Sequence, residues 1–558
     1  MRSTSSLEFN SMAVSIPVLF GTETGNAEYC ADLLVTALEE EGFSAELIDM
    51  DDFEPSDIST HKLVFIITST YGNGDPPFNA EAFLRYLQGE EPYLPNLHFA
   101  VCGLGDRSFA HFAQCGKDFE KVLVECAATP IFERVDCDDE FEVPFDNFKN
   151  TAIKYMHEKG AALLGEGGDS AKSTAPSTGK SSSAKNEASF SRDKPFMAPV
   201  LEKRLLSKPG SAKETMHYEL DISGWEVDFQ VGDCFGVHPR NSKAAIESVL
   251  KTTGFSETEL VQWDRKERPL GEALATACLN NIGVDFVRTL ASLKGASEGA
   301  AAKAVSGGDS ALSEYIRNRH VLDALLEQST EELDAQQLVD GLRKLQPRLY
   351  SVASSPIADK SRVGFTVETL RYSWNERKVE GVATCWLADQ IEVGDTVPIY
   401  LMRNENFHFS KDERPIIMVG PGTGIAPFRA YLQEVEAAGI KNETWLFFGH
   451  QHEAKDFLYE EEIQTWKRSG TLTRADFAWS RDQDEKIYVQ DRIKENAEAL
   501  WQWIAKGAEI YICGDALGMA PGVAEAFKNI AADHGGIKEK DEWLQSMISE
   551  KRYKADVY

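Results

Sequence analysis

The stretch "SIPVLFGTETGNAEYCADLLVTALEEEGF" (residues 15–43) decides the first part of the fold. An apolar run, a Gly- and Thr-rich turn and an amphipathic repeat follow one another, the pattern of strand, loop and helix. In the loop "GTETGNAE" (21–28), Thr22, Thr24 and Asn26 offer side-chain donors, and Gly21 and Gly25 let the backbone come close. The helix start adds free N–H groups at the positive end of its dipole. The loop lacks the Gly-Lys-Ser/Thr of a nucleotide triphosphate loop, so a small phosphate monoester suits it better than ATP.

Outward from this stretch the alternation continues. "AELIDM", "KLVFIITS" and "HFAVCGLG" read as buried strands, and "FAQCGKDFEKVLVEC" as an amphipathic helix, which predicts a doubly wound parallel sheet binding ligands at the carboxyl ends of its strands. Residues 165–193 contain one large apolar side chain, Phe190, and cannot pack a core. They form a tether spanning roughly 30 Å, at about 5–6 Å times the square root of its length. Beyond it, "VDFQVGDCFGVHP", "RLYSVASSP", "RVGFTVETLRYS" and "DTVPIYLM" suggest an antiparallel barrel, interrupted by a mostly helical insert at about 241–345. From 415 the parallel pattern returns with "PIIMVG", "ETWLFFGH", "TRADFAWS" and "AEIYICGD". The expected division is a tail (1–14), an α/β module (15–160), a linker (161–194), the barrel with its insert (195–412) and a second α/β module (413–558).

Bulk properties narrow the function. The 558 residues exceed one core, and a composition of 42% apolar and 27% charged residues is that of an ordinary globular protein. No apolar run reaches 18 residues and the first 20 show no leader h-region, so neither a membrane span nor secretion is expected. Nine cysteines without a C-x-x-C pair point to reduced thiols in a cytoplasm. The 11 histidines show no metal spacing, so no metal is expected, and no Ser-His-Asp constellation stands out. The net charge of −32 is uneven: residues 12–159 hold 9 Lys+Arg against 28 Asp+Glu, or −19. Such a field repels nucleic acid and steers towards a basic partner, although it also serves solubility.

Three more loop systems carry chemistry. "STYGNGDPP" (69–77) and "GLGDRSFAHFAQCG" (103–116) follow later strands at the same sheet edge as the phosphate loop. They hold the large aromatics Tyr71, Phe109 and Phe112, which would sandwich a flat phosphorylated ring. "RLYS" (348–351) presents Arg348, a bidentate cation for a diphosphate, and Gly381 to Thr384 could wrap backbone N–H groups round the same group. "VGPGTGIAPFRAYLQE" (419–434) is a Gly-rich turn between strand and helix that suits a dinucleotide. "WSRDQDEKIYVQ" (479–490) adds Ser480, Arg481, Lys486 and Tyr488, two cations and two hydroxyls that suit a 2′-phosphate. Cys513 ends a later strand, where a nicotinamide would lie.

In this order the loops resemble those of the diflavin reductases, from about residue 15 to the last. Residues 15–159 look like a flavodoxin domain, and 348–384 resemble the FAD-binding barrel of the ferredoxin–NADP reductase family. The resemblance implies FMN held by Thr22, Glu23, Thr24, Gly25, Asn26 and Ala27, by Ser69, Thr70, Tyr71, Gly72, Asn73 and Gly74, and by Leu104, Gly105, Asp106, Phe109 and Phe112. It implies FAD on Arg348, Leu349, Tyr350, Ser351, Thr366, Val367, Tyr372 and Gly381, Val382, Ala383, Thr384, and NADPH on Gly422, Thr423, Ser480, Arg481, Lys486, Tyr488 and Gln490. Ser351, Cys513 and Asp556 would line the hydride-transfer site, with Tyr558 stacked on the FAD ring as a gate that swings aside.

NADPH yields two electrons at once and haem acceptors take one, so FAD would take the hydride and FMN would pass electrons on singly. "FFGHQHEAKDFLYEEEI", "SRDQDEKIYVQD" and "RYKADVY" are most similar to the flavoprotein subunit of assimilatory NADPH–sulfite reductase, which implies a sirohaem haemoprotein partner. A cytochrome P450-type reductase, or a flavin-binding interaction module without hydride transfer, stands as the alternative. Asp136 and Asp138 in "RVDCDDEF" are candidates for partner docking, or simply a solvated acidic turn. Phe109, Asn73 and Gly522 depart from residues common in relatives, and the short segment before the first strand does not imply an octamer.

Overall fold

The computed structural model describes residues 15–22, 25–70, 74–107, 111–138, 141–160, 163, 190–293, 299–317, 319–327, 332–374, 377–410 and 412–558. The described residues form two compact units, one within 1–181 and 244–344, the other within 182–243 and 345–558.

In the first unit six parallel strands form one sheet: β1 (Ile16–Gly21), β2 (Ala45–Asp49), β3 (Leu63–Ser69), β4 (His98–Leu104), β5 (Thr129–Pro130) and β6 (Val135–Cys137). Their order is β2-β1-β3-β4-β5, with β6 also on β4. The helices α1 (Asn26–Glu40), α2 (Phe78–Glu90), α3 (Gln114–Glu125) and α4 (Glu142–Tyr155) alternate with them. Two separate apolar clusters, one containing Val18, Phe65 and Phe148 and the other Leu19, Ile66 and Phe119, cover the two faces. A sheet buried on both faces explains why β1 and β3 read as continuous apolar runs. Since β1 lies between β2 and β3, the strand order reverses there, and such a switch point opens a crevice at the carboxyl edge.

The second unit opens with β7 (Phe196–Leu205), β8 (Thr215–Asp221) and β9 (Cys234–Val237). The chain then supplies the first unit with helices and a hairpin, β10 (Leu260–Trp263) and β11 (Lys266–Pro269), around an apolar core of their own. Returning, it adds β12 (Arg348–Ser351), β13 (Arg362–Glu368), the hairpin β14 (Arg371–Trp374) and β15 (Arg377–Glu380), and β16 (Thr396–Met402). The antiparallel sheet runs β12-β9-β16-β7-β8-β13. Its ladder is open: beyond β12, one backbone bond, from Ala353 N–H to the Gly364 carbonyl at 2.7 Å, reaches β13.

A parallel sheet of β17 (Ile416–Val419), β18 (Thr444–His450), β19 (Arg474–Trp479), β20 (Glu509–Gly514) and β21 (Tyr553–Val557) completes the unit, in the order β19-β18-β17-β20-β21. The central β17 again sets a switch point, now between β17 and β20. An ion network joins the two sheets of this unit. Arg429, 5% exposed, bonds Glu462 at 2.7 Å and the Ala353 carbonyl, while His217 meets the Tyr459 hydroxyl at 3.0 Å. Glu202, His217 and Glu219 lie close enough to ligate a metal, but Arg204 and Arg362 hold the two carboxylates, each at 2.7 Å. Among the described residues no helix is long and apolar enough to cross a membrane.

The turn after β17 is packed without slack. A Cβ at Gly424 would stand 2.1 Å from the Cys513 carbonyl oxygen, whereas Gly422 has φ +59° and open space around it. Gly424→Ala must therefore push the turn away from β20 and should cost about 1–3 kcal/mol in denaturant unfolding. Gly422→Ala should cost only about 1–2 kcal/mol of left-handed backbone strain, without displacing Cys513.

Candidate functional site

At the first switch point Gly25 caps α1 with φ 76°, a left-handed conformation natural to glycine, and aims the helix start at the crevice. The Thr22 backbone N–H donates to Asn79 at 2.8 Å, and its hydroxyl oxygen is buried with no partner among the described residues. A buried hydroxyl left without a partner is costly, so this one fits a phosphate oxygen. Asn26 and the buried Ala27 form the first turn of α1. Ser69 Oγ reaches the Gly21 carbonyl at 3.4 Å, and the Thr70 hydroxyl accepts the Cys115 N–H at 3.2 Å.

Gly74, Leu104, Gly105 and Asp106 follow at the same edge, and Gly105 N–H bonds the Cys137 carbonyl at 2.9 Å. The Phe112 ring lies under the Arg107 guanidinium at 5.1 Å. Glu23, Thr24, Tyr71, Gly72, Asn73 and Phe109 lie outside the described residues. Asp136 is held by Arg134 at 2.7 Å, and Asp138 accepts the Arg107 backbone N–H at 3.0 Å, so neither is merely a solvated acid.

In the second unit Ser351, Cys513 and Asp556 come together. The Ser351 hydroxyl donates to Asp556 Oδ2 at 2.7 Å, and Cys513 Sγ lies 3.8 Å from the same oxygen. Strand register explains it: β21 pairs with β20 so that Cys513 faces Asp556, and β12 pairs with β9 so that Ser351 faces Cys234. Burial raises the Asp556 carboxyl and pushes the Cys513 and Cys234 thiols well up, which keeps both thiols protonated. Two neighbours escaped sequence reasoning. Cys234 Sγ lies 3.8 Å from Ser351 Oγ, and Asn404 Nδ2 donates to Asp556 Oδ1 at 3.4 Å. Asn404 is fixed in turn by its backbone N–H to the fully buried Asp233 at 3.0 Å, which also takes His408 Nε2 at 2.6 Å. The only signal in the sequence was a strand cysteine and a polar loop after "IYLM".

Tyr558 has its N–H on the Gly514 carbonyl at 3.0 Å and its hydroxyl 2.9 Å from Thr423 Oγ1, with the residue 63% exposed. The ring therefore hangs at the edge between β20 and the Gly422–Thr423 turn. Tyr350 is half-buried against Phe365, 6.0 Å between centroids, and Leu349 beside it pairs with Gly236. Arg348 is exposed, bonds only the Gln346 and Pro347 carbonyls, and has no acidic partner among the described residues, which leaves its charge for an anion.

Gly381 caps the helix Val382–Gln390, and Thr384 Oγ1 turns back to accept the Leu370 N–H at 3.0 Å, with Ala383 buried behind it. Tyr372 lies half-buried on β14. Thr366 and Val367 are instead interior residues of β13, and the Thr366 hydroxyl meets Tyr459 at 2.6 Å rather than the crevice. Ser480 N–H bonds the His450 carbonyl at 2.9 Å. Arg481 and Lys486 stand exposed, without acidic partners among the described residues, beside the exposed Tyr488. Gln490 keeps a buried, unpartnered Oε1, and Gly522 faces it: a Cβ there would be 3.3 Å from Gln490 Nε2.

These loops define a class, a multidomain flavin-dependent oxidoreductase. The flavodoxin family pattern matches residues 18–148, the FAD binding domain 188–282 and the oxidoreductase NAD-binding domain 418–525. The chain is 38% identical over 550 residues to the sulfite reductase (NADPH) flavoprotein alpha-component of Bacillus subtilis (strain 168), covering 97% of this chain and 89% of that protein. It is 37% identical to that of Vibrio vulnificus (strain CMCP6), over 98% and 88% of the two chains. With that of Salmonella typhimurium (strain LT2) the identity is 35%, over 97% and 90%. The chain belongs to the family of sulfite reductase flavoprotein alpha-components.

None of the nine cysteines forms a disulfide, and Cys278 is the one that is not buried. Iodoacetamide at pH 8 should therefore modify Cys278 in the folded protein and spare Cys513 and Cys234 until denaturant is added, as read by peptide mass mapping.

Proposed function

We propose that this chain draws hydride from NADPH and delivers electrons one at a time to the haemoprotein of sulfite reductase. It is an NADPH-dependent flavoprotein oxidoreductase, with FMN in the flavodoxin-like part and FAD and NADPH in the remainder. The observation that carries the reading is the meeting of Ser351, Cys513 and Asp556 beside Tyr558 at one sheet edge. When bound, the two flavins supply the change from paired to single electrons. The residues supply placement and charge.

Asp556, oriented by Ser351 and Asn404, would offer a carboxylate to a bound nicotinamide and favour positive charge on it. Cys513, kept protonated by burial, fills the floor without adding a competing charge. Arg481 and Lys486, with Ser480, Tyr488 and Gln490, are proposed to take the 2′-phosphate side of NADPH, and Gly422 with Thr423 its diphosphate. Arg348, Leu349, Tyr350 and the helix start at Gly381 to Thr384 would hold FAD, with Tyr372 nearby, and the open antiparallel sheet would act as the FAD barrel. Thr22 to Ala27, Ser69 to Gly74 and Leu104 to Phe112 would hold FMN.

The domain division at about 160, 195 and 412, with the insert at about 241–345, is kept as part of this reading. The acid excess of residues 12–159 supports docking of a basic haemoprotein face, with Asp136 and Asp138 contributing from within their arginine pairs. Nine cysteines without a disulfide support a reducing cytoplasm.

Anaerobic NADPH should bleach the flavin absorbance, and the reduced protein should pass electrons to a sulfite reductase haemoprotein faster than to a cytochrome P450. No bleaching would overturn the reading, and an equal rate to both would remove the partner. Arg481→Gln with Lys486→Gln should raise the KM for NADPH at least tenfold and leave that for NADH nearly unchanged, because the removed charges face only a 2′-phosphate.

A further inference from the structure

Tyr558 is held in two unequal ways. Its backbone is pinned: its N–H donates to the Gly514 carbonyl at 3.0 Å, and its main-chain carboxylate oxygen accepts the Ala516 N–H at 3.2 Å. The residue is 63% exposed, and its side-chain hydroxyl meets Thr423 Oγ1 at 2.9 Å. Rotation about the side-chain bonds can therefore move the ring while the backbone stays still. Thr423 belongs to the turn Gly422–Ile425 at the switch point, where the proposed reading puts the dinucleotide's diphosphate.

We infer that Thr423 is a positioning residue that latches the Tyr558 ring and releases it when its hydroxyl is taken by the diphosphate of the incoming dinucleotide. This rests on the NADPH reading above and goes beyond it, because it ties the gate to phosphate recognition. The Thr423 hydroxyl has a single proton to donate, and an anionic phosphate oxygen competes for it with the Tyr558 hydroxyl. Binding at the diphosphate position and ring departure are thus a single exchange, and a dinucleotide unlocks its own path to the flavin.

The test is a double-mutant cycle on the full-length protein loaded with both flavins, reading the NADP+ dissociation constant by calorimetry. Tyr558→Phe keeps the ring and removes the latch, so NADP+ should bind about two- to tenfold more tightly, the net range of one neutral hydrogen bond. In a Thr423→Val background the same Phe substitution should have no effect, and in Thr423→Ser, which restores a hydroxyl, the gain should return. Adenosine 2′-phosphate, which lacks the diphosphate, should bind Tyr558→Phe and the wild type alike.

An equal gain in the Thr423→Val background, or an equal gain for adenosine 2′-phosphate, overturns the latch. So does an unchanged NADP+ affinity in Tyr558→Phe. Failure of the wild-type protein to bind NADP+ at all would overturn the NADPH reading itself, a distinguishable result. Flavin content and melting temperature, measured on each variant, separate a loss of folding from a loss of the latch.

Discussion

The parallel pairing of β21 with β20 sets Cys513 opposite Asp556 and Gly514 opposite Val557. A slip of one residue would turn Asp556 to the opposite face of the sheet and carry Tyr558 away from Gly514. The register is fixed from both ends. Tyr553, buried at the start of β21, packs in the apolar cluster beneath the sheet, and the Tyr558 N–H closes on Gly514 at its end. The short strand is held by its neighbour's backbone and by one large side chain, and the candidate hydride site inherits that precision.

Both parallel sheets use the same solution to the problem of gathering polar groups. A central strand with neighbours added on each side leaves a crevice where the connections diverge, and loops from strands distant in sequence converge there. In the second unit this brings Thr423, from the turn after β17, within a hydrogen bond of Tyr558, 135 residues further on. In the first it sets Thr22 beside the start of α1, with the loops after β3 and β4 at the same edge. Candidate binding residues gather at these edges, while the interiors of β1, β3, β17 and β20 are buried.

Much of this was legible in the sequence for identifiable reasons. Strands buried on both faces announce themselves as apolar runs, so "KLVFIITS" and "PIIMVG" fall where β3 and β17 lie. Gly-rich turns between strand and helix marked the loops, and the residues at their tips followed. Contacts depending on pairing between distant strands were harder. Cys234 faces Ser351 only because β9 lies beside β12, and Asn404 meets Asp556 only because a loop after β16 folds back over β21. Thr366 shows the converse. Alternation along β13 places its side chain inward, where Tyr459, at the start of the helix Glu460–Ser469, takes its hydroxyl. A strand periodicity gives two faces without saying which one meets a ligand.

The electrostatics of Asp556 make a stronger argument than its position. Burying a carboxylate is costly, and the raised Asp556 carboxyl records that cost. Ser351, Asn404 and Cys513 offset part of it with donors from three different elements, none of which needs that carboxylate for its own packing. An apolar side chain at 556 would satisfy the core more cheaply, and Ser351 could then bond the backbone or water. Groups brought together from across 200 residues to hold one disfavoured charge are better explained by what faces that charge than by the stability they confer. On the proposed reading, a nicotinamide that becomes cationic as its hydride departs would be a partner of the right sign, with the adjoining Tyr558 ring placed to control its access.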